Sequence, residues 1–166
     1  MSAPGLPFRV GHGHDAHRLV SGRKLVLGGV AIEHISGLEG HSDADVLVHA
    51  VIDALLGALA LGDLGAHFPP GDEGYRGADS LGLLRRAAAL AAEAGGRAVQ
   101  VDATLQLERP RVAEHVPAMR RNLAAALDLP VSHVSVKATT FEGMGFVGRE
   151  EGAAATAVVL VSLDPR

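Results

Sequence analysis

Alternation of apolar and polar positions at the start of the chain predicts a β beginning. Residues 8–10 read as a short strand that continues through Gly11-His12-Gly13-His14-Asp15-Ala16-His17. Residues 24–27 and 30–32, separated by Gly28-Gly29, read as a hairpin. Apolar residues then fill most of 46–61, which predicts a helix buried on nearly every side, with Ser42 as its N-cap and Asp45 as capping-box partner. Residues 62–78, with five glycines and the Pro69-Pro70 pair, predict a long loop that serves as a substrate lid. Asp79 or Ser80 caps a second helix that stops at Gly95-Gly96, and residues 99–107 alternate as a strand. A third helix over 115–127, a strand over 131–138, a glycine-rich loop over 140–152 and a final strand over 153–163 complete the order. This order predicts a single α/β (α+β) domain, in which a mixed four-stranded sheet is layered with helices and a small N-terminal hairpin is added. The last strand is apolar on both faces, and a chain of this size has little material to cover both, so oligomerisation is expected.

Composition narrows the reading. A chain of 166 residues, 48% hydrophobic and 20% charged, suits one core, assigned here to 8–163, with 1–7 as a disordered extension. No apolar run reaches the roughly 20 residues of a membrane helix, and no secretory leader pattern is visible, so a cytoplasmic address is expected. With no cysteine, any metal must rest on His, Asp and Glu. A net charge of -4 and 3% aromatics argue against a nucleic-acid surface.

Six of the nine histidines precede residue 50. On a strand, Asp15 and His17 share one face and His14 takes the other. In the first helix Asp45, His49 and Asp53 recur every four residues and share a stripe, which must face something polar because burying an unpartnered imidazole or carboxylate is costly. A core histidine bonded to a backbone carbonyl accounts for His49 alone. Beside Asp15 and His17, however, it completes two imidazoles and one carboxylate with a fourth tetrahedral position open, the ligand pattern of a catalytic zinc. Gly11-x-Gly13-x-x-Ala16 imitates a dinucleotide fingerprint but leads to another strand instead of a helix. Ser135, Lys137 and Thr139 share a strand face, and with Thr140, Glu142 and the following glycines they suit a diphosphate held through Mg²⁺.

The motifs Gly11-His-Gly-His-Asp15-Ala-His17, His41-Ser-Asp-Ala-Asp45-Val-Leu-Val-His49, Gly62-Asp63-Leu-Gly65, Phe68-Pro69, Lys137-Ala-Thr-Thr-Phe-Glu142 and Gly145-Phe146-x-Gly-Arg149-x-Glu151-Gly152 stand in order over residues 8–163. Together they resemble the 2-C-methyl-D-erythritol 2,4-cyclodiphosphate synthase family of the non-mevalonate isoprenoid pathway. The resemblance implies a homotrimer with sheets facing the threefold axis and active sites at subunit interfaces. It implies one Zn²⁺ per subunit on Asp15, His17 and His49, and Mg²⁺ or Mn²⁺ on the diphosphate through Glu142. It gives His41 and Thr140 the task of steadying charge in the reaction, puts His41 and Ser42 on the substrate's erythritol phosphate, and counts Ala16 among the substrate-binding residues. Asp63, Leu64, Gly65, Phe68 and Asp72 would line the erythritol pocket. Leu107, Arg109, Pro110, Arg111, Val112 and Ala113 would hold cytosine, and Lys137, Thr139 and Thr140 the diphosphate. Phe146, Arg149 and Glu151 would line an axial cavity suited to an isoprenoid diphosphate. The chain departs from the family's usual pattern at His14, Pro70 and Phe141, and in Glu108-Arg109-Pro110-Arg111, which carries more charge than the usual cytosine-loop segment. A metal-dependent phosphoesterase and a non-catalytic trimeric isoprenoid-binding module are the alternatives left by the residues.

Overall fold

The structure, a computed structural model, describes residues 6–69, 71–72 and 77–164. Five strands form the main sheet in the order β4-β1-β7-β5-β6: β1 (Phe8–Ser21), β4 (Ser36–Leu38), β5 (Gly96–Gln106), β6 (Val134–Thr139) and β7 (Gly152–Leu163). The β5–β6 pair is parallel and the other pairs are antiparallel. Strands β2 (Leu25–Leu27) and β3 (Val30–Ile32) form the expected hairpin apart from it. The sheet therefore has one strand more than the four expected, because β4, Ser36-Gly37-Leu38, carries a single apolar residue and no flanking turn signal, unlike the equally short β2 and β3 around Gly28-Gly29.

Three long helices, α1 (Val46–Ala58), α3 (Ser80–Glu93) and α4 (Val116–Leu127), pack on one face of the sheet. Two single-turn helices, α2 (Leu64–His67) and α5 (Gly145–Gly148), lie inside the two segments expected to be loops. Residues 131–133, expected in a strand, instead form a 3₁₀ turn leading into β6. Residues 1–5, most of the expected N-terminal extension, and Pro70 lie outside the described residues. The Pro7 carbonyl accepts the Leu163 N–H at 2.8 Å, so the sheet hydrogen bonding reaches one residue before β1.

Buried leucine, valine and alanine from α1, α3, α4, β5 and β7 make one continuous core. Helix α1 lies at its centre, with 11 of its 13 residues buried. On the opposite face of the sheet Val10 is 67% and Val158 42% exposed, and His12, His14 and Ala16 also face outward. In β7 the residues 153–155, 157, 159 and 161 are buried. The apolar character of its other face therefore belongs to a surface that this chain leaves uncovered.

The approach of α1 to β1 fixes the site. A Cβ on Gly11 would stand 1.8 Å from the Ala54 carbonyl oxygen, and one on Gly13 would stand 2.0 Å from that of Ala50. Strand and helix thus touch backbone to backbone, and only glycine permits this. On the same strand face the next two residues are Asp15 and His17, and one helix position before Ala50 is His49. The glycine–alanine seam brings these three side chains together.

Candidate metal centre and active site

The Oδ2 of Asp15 lies 2.9 Å from His17 Nε2 and 3.0 Å from His49 Nδ1, and the two ring nitrogens are 3.2 Å apart. A tetrahedral zinc with bonds of about 2.0–2.1 Å spaces its ligand atoms about 3.4 Å apart, so the set fits with little movement. Second contacts aim each group. The Asp15 Oδ1 accepts the Ala16 N–H at 2.9 Å. The His17 Nδ1 lies 2.7 Å from the Glu39 carbonyl, which can only accept, so Nδ1 carries the proton and a neutral ring turns its Nε2 lone pair on Asp15. A lone pair facing a carboxylate requires a cation between them, either a proton or a metal. His49 is 5% exposed and its Nε2 lies 3.2 Å from Ser42 Oγ and 3.1 Å from Ser80 Oγ.

Without metal, protons take that part. Burial raises the Asp15 pKa, but hydrogen bonds and charge from His17 and His49 outweigh it and hold the carboxyl well below the usual range. Burial lowers the His17 pKa, and Asp15 more than reverses this, leaving it above the ordinary imidazole value. The lowered Asp15 value stabilises the fold above the unfolded carboxylate pKa of about 4, and this contribution is lost as pH falls through the folded value. The raised His17 value stabilises it below about 6.5, the unfolded imidazole pKa, and is lost as pH rises through the folded one. For the metal-free protein, this site's contribution to the melting temperature should therefore peak between those two pH values. Zinc must displace the His17 proton, so zinc affinity should instead rise with pH, and calorimetry in buffers of different ionisation enthalpy should record proton release on binding.

The stripe Asp45–His49–Asp53 does not converge on this centre; of the three, His49 alone joins it. Asp45, rather than Ser42, caps α1: it accepts from Val48 N–H at 3.1 Å, Gly28 N–H at 2.9 Å and Gly29 N–H at 2.6 Å, so one carboxylate ties the helix start to the hairpin turn. Full burial pushes its pKa up to about 6 against those three donors, with Asp43 adding repulsion. Asp53 accepts the Leu64 N–H at 2.7 Å and Asp63 accepts the Ala66 N–H at 2.9 Å, so both carboxylates shape α2. The helical interval is right, but helix starts supplied the polar partners for two of its three members.

The remaining candidates fall into separate groups. Thr140 and Glu142 share a cavity of about 610 Å³ with His34, Glu108, Arg109, Pro110 and Arg111. Within it Thr140 Oγ1 donates to Glu142 Oε1 at 2.9 Å. An adjoining cavity of about 320 Å³ is lined by Leu107, Val112, Ala113, Ala138 and Thr139 together with Pro110, Arg111 and Thr140. Neither is lined by Asp15, His17 or His49. Glu108, which stands out in the sequence only for the charge it brings to the cytosine segment, accepts the Phe141 N–H on its Oε2 at 3.0 Å and ties the 107–113 segment to the Thr140 loop. Arg109 pairs with Glu150 at 3.3 Å. Lys137 is ion-paired with Asp102 across the sheet, so its ammonium already has a carboxylate partner. His41 is exposed, and its carbonyl accepts the Gly77 N–H at 2.8 Å. Phe68 is buried in the core and Asp72 is exposed. Phe146 and Glu151 line a cavity of about 240 Å³ with Ala16, His17 and Arg18, and Arg149 Nε donates to Glu151 Oε1 at 2.8 Å.

Known proteins repeat this arrangement of sequence and fold. The model of the YgbB family matches residues 8–162. The chain is 60% identical over 154 residues to a 2-C-methyl-D-erythritol 2,4-cyclodiphosphate synthase of Salinibacter ruber, with 93% of this chain and 98% of that one covered. It is 59% identical over 153 residues to the protein of the same name from Symbiobacterium thermophilum, covering 92% of this chain and 98% of that one. Among solved structures, a 2C-methyl-D-erythritol-2,4-cyclodiphosphate synthase in a CDP-bound form superposes with a TM-score of 0.85 at 38% identity, over 93% of this chain and 100% of that one. The chain belongs to the YgbB family.

Proposed function

We propose that this chain converts 4-diphosphocytidyl-2-C-methyl-D-erythritol 2-phosphate to 2-C-methyl-D-erythritol 2,4-cyclodiphosphate and CMP, acting as a phosphorus–oxygen lyase. The observation that carries the reading is the convergence of Asp15, His17 and His49 in a chain so similar to proteins of that name. An oxygen of the substrate's 2-phosphate attacks the β-phosphorus, the bond from that phosphorus to the α–β bridging oxygen breaks, and CMP departs with the electron pair. No protein nucleophile is needed, so positioning and charge neutralisation carry the rate. Zinc on Asp15, His17 and His49, and Mg²⁺ or Mn²⁺ on Glu142, supply Lewis-acid charge to the phosphate oxygens when bound.

The chain's own groups do the rest. Asp15 and His17 hold ligand atoms from a strand and His49 from a buried helix, so the centre is rigid. Thr140 orients Glu142 through its hydroxyl. Arg111 brings a guanidinium to the larger cavity, where Arg109 is already paired with Glu150, and the 107–113 segment beside Thr139 offers backbone groups to a cytosine. The metal centre and the Thr140–Glu142 cavity are separate in one subunit, which is consistent with sites completed by a neighbour in a homotrimer. The uncovered sheet face, with Val10 and Val158 exposed, would then close against its copies. The Phe146–Glu151 cavity opens beside that face and suits an isoprenoid diphosphate, with Arg149 freed from Glu151 to meet the phosphate.

Product analysis tests the reaction. The zinc- and magnesium-loaded protein should release CMP and cyclic diphosphate in equal amounts. Inorganic phosphate in place of the cyclic product would identify a phosphoesterase and overturn the proposal.

A further inference from the structure

Behind His49 stands a chain of polar groups that the proposed reaction does not use. Ser80 is the first residue of α3 and is completely buried. Its hydroxyl donates to Asp43 Oδ1, and its backbone N–H donates to Asp43 Oδ2 at 3.0 Å. The Asp45 N–H also reaches Asp43 Oδ1, at 3.2 Å. These three contacts to the Asp43 carboxylate are all from donors, so it acts purely as an acceptor. On its other side the Ser80 Oγ lies 3.1 Å from His49 Nε2.

A serine hydroxyl has one proton. With that proton given to Asp43, the oxygen turns a lone pair toward His49, and only an Nε2–H can meet it. Were the proton turned toward His49 instead, Ser80 Oγ and Asp43 Oδ1 would face each other as two unshielded acceptors in a buried site. Ser42 adds nothing against this assignment. Its Oγ, 3.2 Å from His49 Nε2, accepts the Ala44 N–H, and its own proton is free to turn away. Nor is the Ser80 hydroxyl needed to cap α3, because Asp79 already accepts the Leu81 and Gly82 N–H groups at 3.2 Å each.

We infer that Asp43 and Ser80 are positioning residues for His49, holding its ring as the Nε2–H tautomer so that Nδ1 presents its lone pair to the metal. The inference rests on the metal-dependent reading above. The relay also makes the imidazole a stronger ligand, since a carboxylate behind a hydroxyl polarises the N–H it accepts. It links the segment before α1 to the start of α3, so ligand geometry and helix packing are set by the same atoms.

The test compares the full-length protein with its Ser80→Ala, Asp43→Asn and doubly substituted variants. Zinc affinity is read by competition with a chromogenic chelator, and metal-free melting temperature is read alongside it. Loss of an outer-shell partner typically costs 10–100-fold in metal affinity, and Ser80→Ala should weaken zinc binding by at least tenfold. Asp43→Asn must turn an amide N–H onto a group that is itself a donor, so its loss should be at least as large. The double variant should be no weaker than the worse single one, because both changes break one chain. In the ¹⁵N-labelled zinc-loaded protein the His49 Nε2–H should give a slowly exchanging proton signal, which Ser80→Ala should lose while the backbone spectrum is retained. Wild-type protein that takes up no zinc would overturn the metal reading and the relay with it. Tight wild-type binding matched by Ser80→Ala, or losses that add independently in the double variant, would overturn the relay alone.

Discussion

Gly13→Ala should abolish zinc retention although it touches no metal ligand. The added carbon would stand 2.0 Å from the Ala50 carbonyl oxygen and 2.6 Å from the Ala54 nitrogen, both helix backbone atoms that cannot swing aside. Strand and helix must separate by about 1 Å or more, a displacement large enough to cost a catalytic site about 100-fold. His49 rides on that helix, while Asp15 and His17 ride on that strand, so the ligand set opens as the two part. Overpacking of a tight core commonly costs about 1–3 kcal/mol, so the variant should fold with a lowered melting temperature and carry little zinc. Gly57→Ala in the same helix is the matched control. Its Cβ would meet nothing within 4 Å, and an alanine there should be neutral or stabilising by up to about 1 kcal/mol with zinc retained. Full zinc occupancy in Gly13→Ala, measured by elemental analysis after desalting, would show that the close approach does not hold the centre.

The sequence made this seam visible only in part. Period-two alternation placed Asp15 and His17 on one strand face, and the apolar run after Asp45 announced a buried helix; both readings hold. Nothing in a linear pattern says that two glycines are there to admit a helix backbone, because Gly11 and Gly13 look equally like a phosphate-loop signature. The partition of the Asp45–His49–Asp53 stripe was illegible for a related reason. A carboxylate at helical interval from a ligand is chemically suited to a metal, but the free N–H groups at a helix start or a tight turn compete for it, and Gly28, Gly29 and Val48 claimed Asp45. The sequence offers Ser80 only as a helix cap, because its partners, Asp43 and His49, are 37 and 31 positions away. Strand β4 is illegible because Ser36-Gly37-Leu38 has one apolar residue and no turn like the Gly28-Gly29 that marks the equally short β2 and β3, and α2 and α5 are illegible because a single turn amid glycines reads as loop. Lys137 was legible as outward-facing but not as already paired, since its acid, Asp102, lies on the neighbouring strand.

His49→Ala should remove both zinc and turnover while leaving the fold intact. The substitution takes away one of the three proposed ligand atoms, and the remaining Asp15–His17 pair, partly exposed and on one strand, offers too few ligand atoms to retain the ion through desalting. Lewis-acid stabilisation of a phosphoryl transition state is worth several kcal/mol, so turnover should fall by about three orders of magnitude or more. The cost in stability should be far smaller. Alanine is a better helix former than histidine, and Ser80 keeps Asp43 as its hydrogen-bond partner. Against this, the site loses an imidazole that faces Asp15 and leaves a small void, so a net change of about 1–2 kcal/mol in either direction is expected. The pH response should separate the two effects. With one imidazole gone, the Asp15 carboxyl loses one of the two groups that depress its pKa, so acid unfolding of the metal-free variant should begin at a higher pH than in the wild type. A His49→Ala protein with full zinc occupancy and unchanged turnover would show that the metal is held elsewhere. If metal and activity vanish together while far-UV circular dichroism stays unchanged, the helix contributes a ligand rather than packing alone.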